Sequence, residues 1–158
     1  MQYLWMSVFA LLILGADQFT KHLVVENIAL HQQVEAIPGL VHWTYAQNKG
    51  AAFSILSGQQ WLFVLVFAVF AGLMVWEFSK KRLPFTDLER WCFVAVFAGG
   101  LGNLIDRVRL GYVVDMIEVE FISFPVFNVA DCFITCGCIL AVFSLLFLNK
   151  QMWKDEKK

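Results

Sequence analysis

Charged residues divide the chain into long apolar runs. Met1–Ala16, Gly50–Trp76, Trp91–Ile105 and Cys132–Asn149 contain no Asp, Glu, Lys or Arg. Only the second exceeds the ~20 residues a helix needs to cross a hydrocarbon core of about 30 Å. The other three predict transmembrane helices only if each draws charged residues into the membrane. On that reading the spans run over approximately residues 4–25, 60–78, 91–110 and 128–148. The first takes in Asp17 and Lys21, the third Asp106 and Arg107, and the fourth Asp131. Leu40–Tyr45 reads as a strand after the Pro38-Gly39 turn signal, and Ile117–Ile122 alternates. The pattern predicts an all-α membrane protein of four transmembrane helices with a small extracytoplasmic β element, forming one integral-membrane domain over residues 1–158.

Composition narrows the class. Of the 158 residues 59% are hydrophobic and 16% charged, against about 25% charged in ordinary soluble domains. That excludes disorder and leaves a soluble globule no way to hide its apolar surface. The net charge of −1 predicts no nucleic-acid partner. Basic residues set the orientation. Lys80, Lys81, Arg82 and Arg90 follow the second span, and Lys150, Lys154, Lys157 and Lys158 follow the fourth. Both groups, and with them both termini, are expected on the cytoplasmic side. Glu26–Gln59 and Gly111–Phe127 then lie outside. A cleaved signal peptide is the rival reading of residues 1–16, but no basic residue precedes the run and no A-x-A site follows it.

With this topology the polar residues gather at one depth. Asp17 and Lys21 close the first span, and Asn48 and Lys49 lie just outside the second. Asn103, Asp106 and Arg107 close the third, and Asn128 and Asp131 open the fourth. Charges inside a membrane cost roughly 2.5–3.5 kcal/mol each at mid-bilayer on insertion scales, and so mark sites or buried pairs. Asp17 with Lys21 is an i, i+4 pair that serves equally as a staple, and Asp131 serves equally as a helix cap. The whole set at one level favours a hydrated site between helices. Asp115 adds chemistry to it. Two carboxylates in a low-dielectric site do not both ionise easily. The ionised one can take a proton from water while the protonated one polarises a carbonyl, which is peptide hydrolysis by general acid–base catalysis.

At these residues the chain resembles lipoprotein signal peptidase, also called signal peptidase II. Five blocks occur in order: Asp17-Gln18-Phe19-Thr20-Lys21, Asn48-Lys49-Gly50-Ala51-Ala52-Phe53-Ser54, Gly102-Asn103-Leu104-Ile105-Asp106-Arg107, Val113-Val114-Asp115 and Phe127-Asn128-Val129-Ala130-Asp131. The first three and the last are similar to the family's D-Q-x-T-K, N-x-G-A-A-F-S, G-N-x-I-D-R and F-N-x-A-D patterns. Ala98-Gly99-Gly100 replaces the family's G-G-A, and Met116 stands where Phe is common. The resemblance implies an intramembrane aspartic endopeptidase of the bacterial inner membrane, with its active site towards the outer leaflet. It would remove signal peptides from diacylglyceryl-modified prolipoproteins, cutting before the lipidated cysteine. Asp115 and Asp131 match the catalytic dyad. Asp17, Lys21, Asn48, Gly50, Asn103, Arg107, Asn128 and Ala130 match positions that bind substrate or brace the site. Asp106 matches a structural position, paired with a nearby cation. The implied partners are the lipidated substrate and membrane lipid; the chain is expected to act as a monomer without cofactor or metal.

Other residues are assigned blander roles. Cys92, Cys132, Cys136 and Cys138 read as small packing residues, not metal ligands. His22, His31 and His42 read as surface or strand positions. Trp61, Trp76 and Trp91 read as an interfacial belt. Gly99, Gly100 and Gly102 read as close-packing positions. An ion-coupled transporter would need polar residues through both leaflets, whereas the inner halves read as apolar beyond Ser7. A structural assembly factor, using the polar layer as helix glue, is separated from the enzyme by a cleavage assay.

Overall fold

The computed structural model describes residues 1–50 and 58–153. Ala51–Ser54 of the second block and Lys154, Lys157 and Lys158 of the tail lie outside the described residues. The elements are α1 (Gln2–Asn27), β1 (Gln33–Ile37), β2 (Val41–Asn48), α2 (Gln60–Lys80), α3 (Asp87–Leu110), β3 (Val113–Val119) and α4 (Val129–Phe143), which runs on into a π-helical turn, Ser144–Leu148. Among the described residues, four helices are long and apolar enough to cross a membrane. The third starts a turn earlier than its apolar run, because Thr86 and Glu89 form a reciprocal capping box ahead of it. It ends at Gly111, whose φ of +79° is open to a residue without Cβ.

α3 is the central helix, flanked by α1, α2 and α4. Its contact with α4 is made through missing side chains. A Cβ on Gly99 would lie 2.6 Å from the Ala130 carbonyl oxygen, and one on Gly137 would lie 2.9 Å from Val96 Cγ2. Small residues let helices approach where lipid supplies no hydrophobic drive. Ile13, Ala95 and Ala98 fill the seam between α1 and α3. α2 packs chiefly on α3 and exposes Trp61, Leu65, Val66, Val69, Leu73 and Trp76, as a lipid-facing helix does.

One end of the bundle carries an antiparallel sheet of order β1-β2-β3. The expected strands are present but displaced. β2 starts one residue after the expected Leu40 and runs on to Asn48; β3 covers Val113–Val119, where the alternation had placed Ile117–Ile122. β1 had no counterpart in the expectation. β2 has one residue more than β3 between Trp43↔Ile117 and Ala46↔Asp115, a bulge at Thr44 and Tyr45, both buried. Val24, Tyr45, Val114 and Met116 form the core between sheet and α1. Side chains alternate along a strand, so Val113 and Asp115 point the other way, into a cavity.

The other end is less apolar than expected. Glu89 is fully buried, and its carboxylate accepts from Ser144 Oγ and Asn149 Nδ2, each at 2.8 Å, and from the Thr86 amide at 2.8 Å. Asn149 also donates to the Pro84 carbonyl. This polar knot ties the end of α4 to the start of α3. The cysteines divide: Cys92 is buried as a packing residue, but Cys136 and Cys138 are exposed.

Candidate active site

The cavity is about 870 Å³ and lies between α2, α3, α4 and the stretch leading into α4. Its walls are apolar, with Phe63, Phe67 and Phe70 of α2 facing Val96 and Ile134. Its polar groups are Asn48, Asn103, Arg107, Asp115 and Asp131, with Thr135 lower on α4. Elements distant in sequence therefore deliver their polar residues to one place, as the common depth had implied.

Asp115 and Asp131 are joined through Asn128. Asn128 Nδ2 donates to Asp115 Oδ1 at 2.7 Å, while Asn128 Oδ1 accepts the Asp131 amide at 2.9 Å. Asp131 Oδ2 in turn accepts the Asn128 amide at 3.2 Å, which closes a capping box at the start of α4. The cap reading of Asp131 is thus correct, and the same side chain also faces the cavity. Asp115 is only 2% exposed. Its pKa is pushed up to about 7, first by burial and then by the charge of Asp131, against hydrogen bonds from Asn48 and Asn128 and the charge of Lys21.

Three carboxamides hold the pair, and each is oriented by a donor on its own oxygen. Asn48 Oδ1 accepts the Gly50 amide at 3.0 Å, so its Nδ2 faces Asp115 Oδ2 at 2.9 Å. Asn103 Oδ1 accepts Lys21 Nζ at 2.9 Å, so its Nδ2 faces Asp131 Oδ1 at 2.7 Å. Asn128 follows the same rule. An amide turned over would set carbonyl oxygen against carboxylate, so the donors decide the arrangement.

Behind the carboxamides lies a buried charge cluster. Lys21 Nζ sits 2.9 Å from Asp17 Oδ2 and 3.0 Å from Asp106 Oδ2, spending its remaining donors. The expected pairing of Asp106 with a cation is present, and the Asp17–Lys21 staple is present too. Ala130 contributes its amide to Asp17 Oδ1 at 3.0 Å. Arg107 donates to the carbonyls of Gly50, at 2.9 Å, and Asn103, at 3.3 Å, and its guanidinium lies 4.3 Å from the Phe63 ring centroid. The ten residues matched to the dyad or to binding and bracing positions all take part in this network or line the cavity, whereas Lys49 is exposed. Two were passed over. Gln18 Nε2 bonds Asp17, Asp106 and the Gly102 carbonyl, and Phe63 supports Arg107. Gln18 stood inside the first block, where its position was a usable signal; Phe63 stood in an apolar run with none. His22 and His31 are exposed and His42 lies in β2, as expected.

The fold has solved counterparts. A structure described as a bacterial membrane enzyme matches with a TM-score of 0.85 at 33% identity, covering 97% of this chain and 93% of that one. A second with the same description matches at 0.81 and 33%, covering 90% and 92%. Fold and site together define a multi-pass membrane enzyme. The lipoprotein signal peptidase of Streptococcus thermophilus (strain CNRZ 1066) is 42% identical over 149 residues, 92% of this chain and 90% of the relative. That of Streptococcus agalactiae serotype V is 40% identical over 159 residues, 99% and 96%. A family model for signal peptidase (SPase) II matches residues 9–147. The chain belongs to the signal peptidase II family of aspartic endopeptidases.

Proposed function

We propose that the chain removes signal peptides from diacylglyceryl-modified prolipoproteins, cleaving before the lipidated cysteine with Asp115 and Asp131 as a water-activating dyad. The observation that carries this reading is the pair of carboxylates linked through Asn128 at an apolar cavity within a membrane bundle. The substrate enters sideways from the bilayer of the bacterial inner membrane, at the outer leaflet. Its acyl chains lie along the phenylalanine-rich wall, and the scissile bond reaches the polar groups.

Asp115, held near a pKa of about 7, is the member that retains the proton. Asp131 takes a proton from water, and the resulting hydroxide adds to the scissile carbonyl carbon. Asp115 gives its proton to the carbonyl oxygen. Asp115 takes a proton back from the gem-diol as it collapses, the C–N bond breaks, and the proton held by Asp131 passes to the departing amine, which restores the dyad. The products are the signal peptide's carboxylate and the free amino group of the lipidated cysteine. Asn48 and Asn128 hold the dyad, and Asn48, which lines the cavity, offers groups to the peptide backbone. Arg107, a fixed donor fork, takes a backbone carbonyl or ester oxygen of the substrate.

Purified protein incubated with a lipidated prolipoprotein tests the reading. Cleavage is expected, with poor cutting of the unlipidated form. Asp115→Asn and Asp131→Asn are each expected to abolish cleavage while the protein still accumulates in the membrane. Full activity in either variant rejects the dyad, and an inactive wild type beside an active relative rejects the enzyme.

A further inference from the structure

Each dyad aspartate is preceded by a residue whose backbone N–H is held by a buried carboxylate. Val114 N donates to Asp106 Oδ2 at 3.1 Å, and Asp115 follows. Ala130 N donates to Asp17 Oδ1 at 3.0 Å, and Asp131 follows. The two anchoring carboxylates are themselves clamped together. Lys21 Nζ bridges their Oδ2 atoms at 2.9 and 3.0 Å. Gln18 Nε2 makes a second bridge, 3.2 Å to Asp17 and 3.0 Å to Asp106. Asp17 and Asp106 are 0% and 4% exposed, and Lys21 is 3% exposed. The chain of contacts therefore runs from the β3 backbone through Asp106, Lys21 and Asp17 to the α4 backbone, parallel to the dyad.

We propose that the Asp17–Lys21–Asp106 triad is the spacer that sets the separation of Asp115 and Asp131, and that Asp106 is a positioning residue for Asp115. The proposal rests on the dyad reading above. Strand alternation makes the spacer effective. Val114 is locked into the core under α1, so fixing its amide fixes the backbone from which Asp115 turns into the cavity. At the other arm Asp17 holds the first turn of α4, the least constrained part of a helix. Lys21 adds a third tie by orienting Asn103 onto Asp131. A dyad that shares a proton and a water depends on separation, and a misplacement of about 1 Å can cost on the order of 10²-fold in rate.

The competing account is that Asp106 merely neutralises Lys21. Wild type, Asp106→Asn, the double variant Lys21→Met/Asp106→Asn and Gln18→Met separate the two. The double variant removes one positive and one negative charge, so the net charge of the cluster is unchanged. Each purified protein is checked for a cooperative thermal transition and assayed on lipidated prolipoprotein. The spacer predicts that kcat falls on the order of 10²-fold in Asp106→Asn and in the double variant, with KM held within about threefold. Gln18→Met, which unpairs no charge, loses kcat in the same direction by less. Neutralisation alone predicts that the double variant, with the net charge restored, recovers kcat relative to Asp106→Asn, and that recovery overturns the spacer. Wild-type kcat in Gln18→Met, or a raised KM at unchanged kcat in Asp106→Asn, overturns it too. If Asp106→Asn does not accumulate, the double variant and Gln18→Met decide. An inactive wild type would instead indict the function; active wild type with fully active variants indicts only the spacer.

Discussion

In the proposed mechanism Asp115 is the residue on which pH dependence turns. Its pKa of about 7 is raised by burial and by Asp131, so below that pH it holds its proton. Used as the acid, it makes kcat/KM fall as pH rises through about 7. Asn48 donates to its charged form and so holds the pKa down. Asn48→Ala is therefore expected to move the alkaline limb to higher pH, along with any loss of rate; a limb moved to lower pH contradicts the assignment. Stability has its own sign. The folded protein keeps a proton that the unfolded chain releases from about 3.8 upward, so this group's contribution to stability falls as pH rises from there to about 7 and is level above. The two aspartates were legible as residue types in order. The direction in which Asn48, Asn103 and Asn128 present their amides was not, because Gly50, Lys21 and the Asp131 backbone decide it from elsewhere.

Between elements, small residues carry the precision. A Cβ on Gly102 would meet Asp17 Oδ2 at 2.5 Å, and Asp17 is held by Lys21, Gln18 and the Ala130 amide. Gly102→Ala is thus expected to cost about 1–3 kcal/mol of stability, as overpacking does, and to slow cleavage. Gly100→Ala meets only the Phe67 ring, at 2.9 Å on the cavity side, where the ring can tilt. Thermal denaturation of both variants checks the contrast; equal losses count against it. At the opposite end, Glu89→Ala strands Ser144 Oγ and the Thr86 amide. Unsatisfied buried groups cost about 1–3 kcal/mol each, so Tm is expected to drop while kcat of the folded enzyme is kept. Glycines at helix contacts were readable from their place within a span. The Glu89 knot was not, since Glu89 falls just outside an apolar run and Ser144 and Asn149 sit a helix away. β1 was also illegible: all but one of its residues are exposed, and it exists because β2 offers an edge.

For the whole molecule, the cavity joins lipid-facing surface to the polar groups. Its wall is built by α2, which packs on α3 and leaves the space towards α4 open. Phe67→Trp, which enlarges a wall residue, is expected to raise KM for lipidated substrate and to change cleavage of the unlipidated form little. A matching rise for both substrates would place the acyl chains elsewhere.

The order of apolar runs and charges alone determined four spans, the common depth of the polar residues and the family blocks, because bilayer thickness and the cost of buried charge act on any chain of this pattern. Only the tertiary structure decided which oxygen each donor meets. Asp115 reaches the cavity because the register of β3 against β2 and the core under α1 turn it there. Asp131 is both cap and cavity residue because α4 begins at the amide that Asp17 holds. Those outcomes depend on partners as far apart as Asp17 and Ala130, separated by 113 residues, whose meeting no local pattern encodes.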